Sequence, residues 1–347
     1  MLNKKVKLSK KIFEKDIDMV ATRQGYGEGL VIAGEKDERV VVLCADLTES
    51  TRSILFKEKF PERFIEVGVA EQALATVAAG MANYGKIPFI SSYATFSPGR
   101  NWEQIRTTIA LNDVPVKIAG AHAGLTVGPD GATHQMLEDI ALMRAMPNMT
   151  VIAPCDAIEA RKATIEVAKT EHPVYIRFAR EKTPVFTTED APFKIGRAEV
   201  LWDPSARAST ELSRTSSGRH GDPQVAIIAC GPLVYEALLA ARELDKKGIE
   251  VLVINSHTIK PLDEKEIIRA AKITGAVVTV EEHQITGGLG GAVSEVLSRN
   301  YPVPMEYVGM PDSFGESGAP EELLEKYKMK AKDIVEACKK VITRKNA

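Results

Sequence analysis

Glu71 is a carboxylate in a position where an α/β protein can use it for chemistry. It follows the short apolar run Phe64-Ile-Glu-Val-Gly-Val-Ala and stands where a helical pattern begins. Ligands of open α/β sheets bind beyond the carboxyl ends of the strands, so a carboxylate there can point into a crevice. Glu71 is therefore a candidate for hydrogen bonding to a ligand. The alternative is that its charge only complements a helix N-terminus.

Aromatic residues follow the next apolar run. Tyr93-Ala-Thr-Phe96 comes two residues after Ile87–Ile90, and Trp102 follows within a few residues. Aromatic rings beyond a strand end can line a flat apolar slot, although taken alone such residues more often belong to a core.

A polar loop with two histidines follows the run Val114–Ala119. It reads His122-Ala-Gly-Leu-Thr-Val-Gly-Pro-Asp130-Gly-Ala-Thr-His134. Its composition is too polar for a core, and its glycines allow the backbone to approach a ligand closely. Two histidines can also bind zinc, but a cysteine cluster and an HExxH helix are both missing, so a zinc site is disfavoured.

These residues must be positioned by alternating strands and helices. The apolar runs are nearly continuous, which is typical of strands in a parallel sheet that is covered on both faces. Helical patterns lie between them, such as Glu71–Tyr84 and Asp156–Thr170, the latter with Asp156 as a candidate N-cap. The predicted fold class is α/β, with a mostly parallel sheet. The predicted strands are Val40–Ala45, Phe64–Val69, Ile87–Ile90, Val114–Ala119, Val151–Ala153 and Val174–Phe178.

A second, smaller α/β domain is predicted after a polar stretch that is rich in Ser, Arg, Gly and Pro. We expect an N-terminal extension at 1–16, a first domain at 17–185, a linker at 186–224 and a second domain at 225–347. Within the linker, residues 201–224 read as an exposed insertion. The predicted strands of the second domain are Val225–Ala229, Val251–Ile254, Ala276–Val280 and Met305–Val308. Its predicted helices are Leu233–Lys246, Asp263–Thr274, Gly291–Arg299, Glu321–Tyr327 and Ala331–Thr343.

The bulk composition indicates an ordinary soluble protein. The 347 residues are 44% hydrophobic and 27% charged, with a formal net charge of -2, which gives no sign of nucleic-acid or membrane-surface binding. No apolar run is long enough to span a bilayer, and the basic N-terminus lacks an apolar signal core, so we expect a cytoplasmic protein. The four cysteines show no CxxC spacing and are expected to be reduced packing residues.

Several motifs in order resemble the pyrimidine-binding domain of transketolases, which are thiamine-diphosphate enzymes. They are RFIEVGVAEQ, SSYATF, WEQIR, HAGLTVGPDGATHQ and MPNMTVIAPCD. The later segments SHTIKPL and EEHQITGGLG resemble the C-terminal domain of the same family. The resemblance runs from about residue 17 to the end of the chain, apart from the insertion. It implies transfer of a two-carbon ketol group between sugar phosphates, as in the pentose phosphate pathway.

The resemblance also implies roles for individual residues. Glu71 matches the glutamate that hydrogen-bonds the aminopyrimidine ring of the cofactor, and Phe96 matches the aromatic residue that stacks on this ring. Trp102 stands where another aromatic is common, and Asp46 matches an aspartate near the cofactor. Gly99 falls where some members carry a phenylalanine, which implies a more open slot.

The remaining matched residues concern the substrate. Asp130 and His134 match residues that hydrogen-bond sugar hydroxyls near the reacting carbons. A further group matches residues that hold the substrate phosphate at the channel mouth, for which guanidinium groups are well suited. This group comprises Arg23, Ser50, His122 and Arg180.

One expected motif is missing. Thiamine-diphosphate enzymes hold the diphosphate through Mg²⁺ or Ca²⁺, using Gly-Asp-Gly followed by an asparagine about 30 residues later. The nearest strings, Pro129-Asp-Gly131 and Gly221-Asp-Pro223, do not fit this pattern. The sequence therefore predicts half of an active site. A separate N-terminal-half chain is expected to hold the metal and share the cofactor, most simply in an α2β2 complex.

Three other interpretations remain open at this point. One is a 1-deoxyxylulose-5-phosphate synthase, which shares the RFI(E/D)VG(V/I)AEQ and THQ patterns. Another is the β subunit of a 2-oxoacid dehydrogenase, whose chain is also separate. The third is a non-catalytic regulatory relative, which the presence of Glu71, Phe96, Asp130 and His134 disfavours.

Overall fold

The computed structural model describes residues 1–207 and 223–347. A sheet that is seven-stranded within these residues forms the centre of the first unit. Its strands are β2 (Val40–Cys44), β3 (Phe64–Glu66), β4 (Ile87–Tyr93), β5 (Lys117–Ala121), β6 (Thr150–Ile152), β7 (Val174–Arg177) and β12 (Thr258–Lys260). They lie in the order β12-β6-β7-β5-β4-β2-β3, and all neighbours are parallel except β12, which pairs antiparallel with β6. The predicted α/β class with a mostly parallel sheet is confirmed.

Helices cover both faces of this sheet, which is why its strands are apolar along their length. Every residue of β2 and β5 is buried. The helix from Ala157 begins as predicted, because the Asp156 side chain accepts from the backbone N–H of Glu159. The helices of this unit are α1 (Thr22–Lys36), α2 (Ile54–Lys59), α3 (Glu71–Asn83), α4 (Trp102–Gln104), α5 (Asp139–Arg144) and α6 (Ala157–Val167); a π-helical segment (Ile105–Ala110) continues α4.

The second unit has a sheet in the order β14-β13-β10-β11-β9, with β9 antiparallel at one edge. Its strands are β9 (Glu199–Trp202), β10 (Val225–Ala229), β11 (Val251–Asn255), β13 (Val277–Gln284) and β14 (Met305–Met310). Its helices are α7 (Val234–Lys246), α8 (Glu264–Thr274), α9 (Leu289–Asn300), α10 (Pro320–Lys326) and α11 (Ala331–Asn346). Strands β1 (Met19–Ala21) and β8 (Lys182–Pro184) pair antiparallel and form a separate two-stranded sheet. No helix among the described residues is long and apolar enough to cross a bilayer.

Strand β9 contradicts part of the predicted insertion at 201–224. Leu201 and Trp202 are buried, and β9 pairs with β11. The N-terminal segment also lies here, since the Asn3 amide donates to the Val200 carbonyl oxygen at 2.8 Å. These pairings define β9, which has only four residues. A strand this short shows no recognisable alternation of apolar and polar residues in the sequence. The rest of the predicted insertion, from 208 to 222, lies outside the described residues.

The two units are joined by β12 and by a buried polar network. The chain leaves β11 and returns to the first sheet as β12. The Arg177 guanidinium donates to the Asp139 carboxylate at 2.8 Å and to the Glu282 carbonyl oxygen at 2.7 Å. The Glu282 carboxylate accepts from the backbone N–H and hydroxyl of Thr126, and burial raises the pKa of Glu282. Because Thr126 belongs to the loop with the two histidines, the second unit supports that loop.

Arg177→Met is expected to destabilise the chain strongly. Asp139 is 0% exposed, so losing its partner would leave a buried carboxylate without its counter-charge. Breaking a buried pair in this way costs about 3–5 kcal/mol of unfolding free energy. Denaturant unfolding measures the change. Arg39→Met is the matched control, because Arg39 pairs with Asp37 at the surface, and a control loss as large as that of Arg177→Met would contradict the assignment.

Candidate functional site

The candidate site lies along the carboxyl edge of the parallel sheet. Arg180 follows β7, His122 follows β5, and Tyr93 ends β4. Asp46 follows β2, and Glu71 follows β3 at the start of α3. Since the strands adjoin in this order, the five side chains are spread across four strand spacings, roughly 19 Å at about 4.8 Å each. This width suits an extended ligand.

Glu71 is buried and ion-paired. Its side chain is only 2% exposed, and its Oε2 accepts from Nη1 of Arg100 at 2.7 Å. The Asn101 amide donates to the Glu71 backbone carbonyl oxygen and fixes the start of α3. The sequence analysis did not identify Arg100. The signal that could have found it is a cation close after Phe96, beyond the Pro-Gly pair that predicts a turn. The guanidinium carbon lies 4.9 Å from the centre of the Phe96 ring.

Four rings form one cluster that includes Phe96. Tyr93 stacks on His122 with 4.1 Å between centroids, and Phe96 meets His134 edge to face at 5.5 Å. Tyr93 also contacts Phe96 and His134. The structure thus brings the predicted Phe96 and His134 together. Tyr93, the last residue of β4, completes this aromatic cluster.

Arg23 holds His122 in place. Its Nη1 donates to the Ser50 backbone carbonyl oxygen at 2.7 Å and lies 3.1 Å from Nε2 of His122. Because arginine can only donate, Nε2 accepts and the proton of the neutral ring is assigned to Nδ1. Nδ1 is buried and has no hydrogen-bond partner among the described residues. Among the described residues His122 therefore has one ring nitrogen, Nδ1, that no protein group pairs.

Charge and burial also shift the pKa values of this group. Burial, followed by the positive charges of Arg23 and Arg180, lowers the pKa of His122 to about 3. Burial and the charge of Arg180 likewise lower the pKa of Arg23. The two arginines are therefore near enough to repel each other. An anionic group between them would relieve that repulsion.

Arg180 is tied to the histidine loop. Its Nη1 donates to the Val127 backbone carbonyl oxygen at 2.7 Å, and it lies 3.4 Å from the Asp130 carboxylate. Asp130 is exposed at the loop tip, while His134 is partly buried against the aromatic cluster. The predicted Asp130, His134 and Arg180 thus share one loop environment.

The turn at Asp46 is held by Glu66, a residue that the sequence did not single out. Asp46 is exposed, with a φ of 59°, and its backbone N–H donates to the Glu66 carboxylate at 2.7 Å. Glu66 also accepts from the Thr48 hydroxyl and the Gly68 backbone N–H. One carboxylate therefore joins the turn after β2 to the turn after β3. An acidic residue ending an otherwise apolar strand is the signal that could have found it.

The structure adds detail at two positions of the predicted slot, Trp102 and Gly99. In the described part of the chain Trp102 makes no ring contact with the aromatic cluster, and its Nε1 donates to the Leu142 carbonyl oxygen at 3.3 Å while the ring packs on the core. At Gly99, a Cβ would lie 2.0 Å from the Thr95 carbonyl oxygen. The tight turn after Phe96 therefore excludes any side chain at position 99.

The described residues contain no group of three or more His, Cys, Asp or Glu side chains that could hold a metal ion. The site therefore offers a buried acceptor, aromatic faces and three arginines, without a metal centre of its own in that part of the chain.

Two family models match this chain. "Transketolase, pyrimidine binding domain" matches residues 18–185, and "Transketolase, C-terminal domain" matches residues 217–334. A Methanocaldococcus jannaschii protein described as a transketolase C-terminal section is 45% identical, covering 92% of this chain and 96% of that protein. A Clostridium sp. 6-deoxy-6-sulfo-D-fructose transketolase subunit is 40% identical, covering 96% of this chain and 98% of that protein.

Solved structures give the same result. A structure described as "Split gene transketolase, inactive beta4 tetramer" aligns with a TM-score of 0.83 and 44% identity, covering 94% of this chain and 99% of that chain. The Campylobacter jejuni transketolase aligns with a TM-score of 0.74 and 24% identity, and the match covers only 49% of that chain. This second likeness concerns the fold alone.

His122 is expected to stay uncharged throughout the neutral range. Its folded pKa lies below the ordinary value of 6.5, so between about pH 3 and 6.5 the unfolded chain binds a proton that the folded chain does not. Stability is therefore lost as the pH falls through this window. NMR of the ¹⁵N-labelled imidazole is expected to show no titration from pH 5 to 8. In Arg23→Gln the pKa is expected to rise; a wild-type midpoint near 6.5 would contradict the assignment.

Proposed function

The chain belongs to the transketolase family as a C-terminal-half subunit, and we propose that it carries the pyrimidine side of a thiamine-diphosphate site for ketol transfer. The reaction moves a two-carbon ketol group from a ketose phosphate to an aldose phosphate, as in the pentose phosphate pathway. The observation that carries this proposal is the buried Glu71 carboxylate beside the Phe96 ring at the carboxyl edge of the sheet.

The residues present fit one half of the cofactor. A buried carboxylate is a strong acceptor for an N–H of an aminopyrimidine ring, and the Phe96 ring offers a flat face on which it can stack. Bound thiamine diphosphate supplies the carbon nucleophile and electron sink for breaking a bond beside a carbonyl. Glu71 would orient the ring and hold a proton on its nitrogen. Asp46 would lie on the cofactor side, since β2 lies between β4 and β3.

Substrate hydroxyl and carbonyl groups would meet the histidine loop. The buried Nδ1 of His122 has no acceptor among the described residues, so a substrate oxygen would satisfy it. His134 lies against Phe96, where it can reach a group held over the cofactor ring. Asp130 accepts from hydroxyl groups nearer the loop tip. These residues bind and orient the sugar and move protons at its oxygens.

Arg23, Arg180 and the Ser50 turn would hold the anionic end of the sugar. Two arginines that repel each other across His122 favour a phosphate between them. Relatives act on differently charged sugars: one is a 6-deoxy-6-sulfo-D-fructose transketolase subunit and another an apulose-4-phosphate transketolase subunit. Since sulfonate and phosphate are both oxyanions, the same pair of arginines would suit either. We propose phosphorylated sugars for this chain.

A partner chain is proposed to complete the site. The described residues contain no cluster that could hold a metal ion, and the sequence lacks the Gly-Asp-Gly motif that would hold the diphosphate through a metal. An N-terminal-half chain would hold the Mg²⁺ or Ca²⁺ and the diphosphate, in an α2β2 complex. Exposed apolar residues before, along and at the end of α3 offer it a surface: Val69 is 70% exposed, Val77 44% and Tyr84 92%. A relative described as an inactive β4 tetramer fits the need for a partner.

Ketol transfer is expected only when the two halves are combined. The assay uses xylulose 5-phosphate and ribose 5-phosphate with thiamine diphosphate and Mg²⁺, on this chain alone and with the N-terminal-half chain. Glu71→Gln is expected to lower the activity of the mixture by roughly 10²-fold or more, because it weakens the acceptor for the ring proton. The exposed Glu103→Gln serves as its control. An inactive mixture of demonstrably assembled chains would contradict the proposal.

Arg180→Ala is expected to raise the KM for phosphorylated aldoses about tenfold or more, with a smaller change in kcat. A remote clamp acts mainly through binding, and a hydrogen bond to a charged group contributes about 1.5–3 kcal/mol. Steady-state kinetics of the reconstituted complex measure this, with the exposed Arg197→Ala as control. Equal wild-type kinetics for phosphorylated and unphosphorylated acceptors would argue against the clamp.

A further inference from the structure

Arg100 occupies both groups that the proposed function assigns to the cofactor ring. Its Nη1 donates to the Glu71 carboxylate at 2.7 Å, and its guanidinium carbon lies 4.9 Å from the centre of the Phe96 ring. The acceptor and the aromatic face are therefore engaged by one side chain of the chain itself. A ligand that uses both must first displace Arg100.

A guanidinium resembles an aminopyrimidine that carries a proton on its ring nitrogen. Both are flat, both place N–H donors in their plane, and both are cationic. A flat cation can donate in its plane to a carboxylate while presenting its face to an aromatic ring. Lysine cannot do this, because its ammonium is a compact charge without a flat face.

Burial of Glu71 explains why the free chain needs such a group. The carboxylate is only 2% exposed, and a buried charge without a partner is strongly destabilising. In the described part of the chain Arg100 is the one ion-pair partner of Glu71. The pair therefore stabilises the site while no cofactor is bound.

Arg100 and the next residue, Asn101, differ in how far their side chains can move. The Arg100 side chain is 51% exposed, so its guanidinium can leave towards solvent. The next residue is fixed: the Asn101 amide donates to the Glu71 carbonyl oxygen and to the Ser97 hydroxyl, and Asn101 is fully buried. Arg100 can thus move while the turn and the start of α3 stay in place.

We propose that Arg100 is a positioning residue that stands in for the aminopyrimidine ring in the free subunit and is displaced when the cofactor binds. This rests on the proposed function, because it takes Glu71 and Phe96 as the ring's binding groups. The exchange lowers the apparent affinity for cofactor, since only molecules with Arg100 displaced are competent to bind. In return, the empty site keeps Glu71 paired and its shape intact.

The first test is the affinity of the assembled two-chain complex for thiamine diphosphate at fixed Mg²⁺, measured by isothermal titration. Arg100→Gln removes the competing cation at similar length and is expected to tighten the apparent Kd about three- to tenfold. Arg106→Gln, an exposed arginine of the same segment, is the matched control and is expected to leave the Kd unchanged. An unchanged or weaker affinity in Arg100→Gln would overturn the stand-in role.

The second test uses the free chain and needs neither cofactor nor activity. Arg100→Gln is expected to lower the melting temperature by about 3 °C or more, because Glu71 is left buried and unpaired. In a Glu71→Gln background the same change is expected to cost little. Additive effects in this double-mutant cycle would show that the two residues are not coupled, which would also overturn the proposal.

The two tests separate the inference from the function on which it rests. A wild-type complex that binds no thiamine diphosphate refutes the proposed function, and the stand-in role falls with it. A complex that binds cofactor and loses activity in Glu71→Gln, but shows no Arg100–Glu71 coupling, refutes only the stand-in role. Arg100→Lys adds a check. Because it keeps the positive charge, its free chain is expected to melt at a temperature between those of Arg100→Gln and the wild type.

Discussion

Strands β7, β5, β4, β2 and β3 pair in parallel, and the arrangement of the site follows from this pairing. Parallel strands end at the same edge of a sheet, so residues far apart in sequence are brought into one row. The order of the strands places the arginine–histidine group at one end of the row and Glu71 at the other. The distance between the two arginines, Arg23 and Arg180, and the Glu71 carboxylate is therefore set mainly by the spacing of the strands.

The second unit contributes support to this row. It returns a strand to the first sheet, and its Glu282 holds Thr126 at the base of the histidine loop. Gly124 is needed there, because a Cβ would lie 2.4 Å from the Glu282 carboxylate and φ is 94°. The loop thus owes its shape to a contact between units, and through Val127 the same loop positions Arg180.

Much of this architecture is readable from the sequence, because buried parallel strands leave long apolar runs and the helix from Ala157 carries its own cap. The predicted family and fold class are confirmed. The single-residue roles stay predictions, although the structure does place Phe96, His122, His134, Asp130 and Arg180 near one another. Sequence patterns did not reveal β9, whose short strand is defined by pairing with β11, or the pair Arg100–Glu71, which depends on the folding of the turn between them. The packing of Trp102 against the core is a further contact that its place in the sequence did not indicate.

We propose that this chain holds only the pyrimidine half of a cofactor site. Isothermal titration of thiamine diphosphate with Mg²⁺, on each chain alone and on the two together, measures where the cofactor binds. We expect weak or absent binding to the separate chains and saturable binding to the mixture, with one cofactor for each pair of chains. Tight, Mg²⁺-dependent binding by this chain alone would show a complete site and refute the proposal.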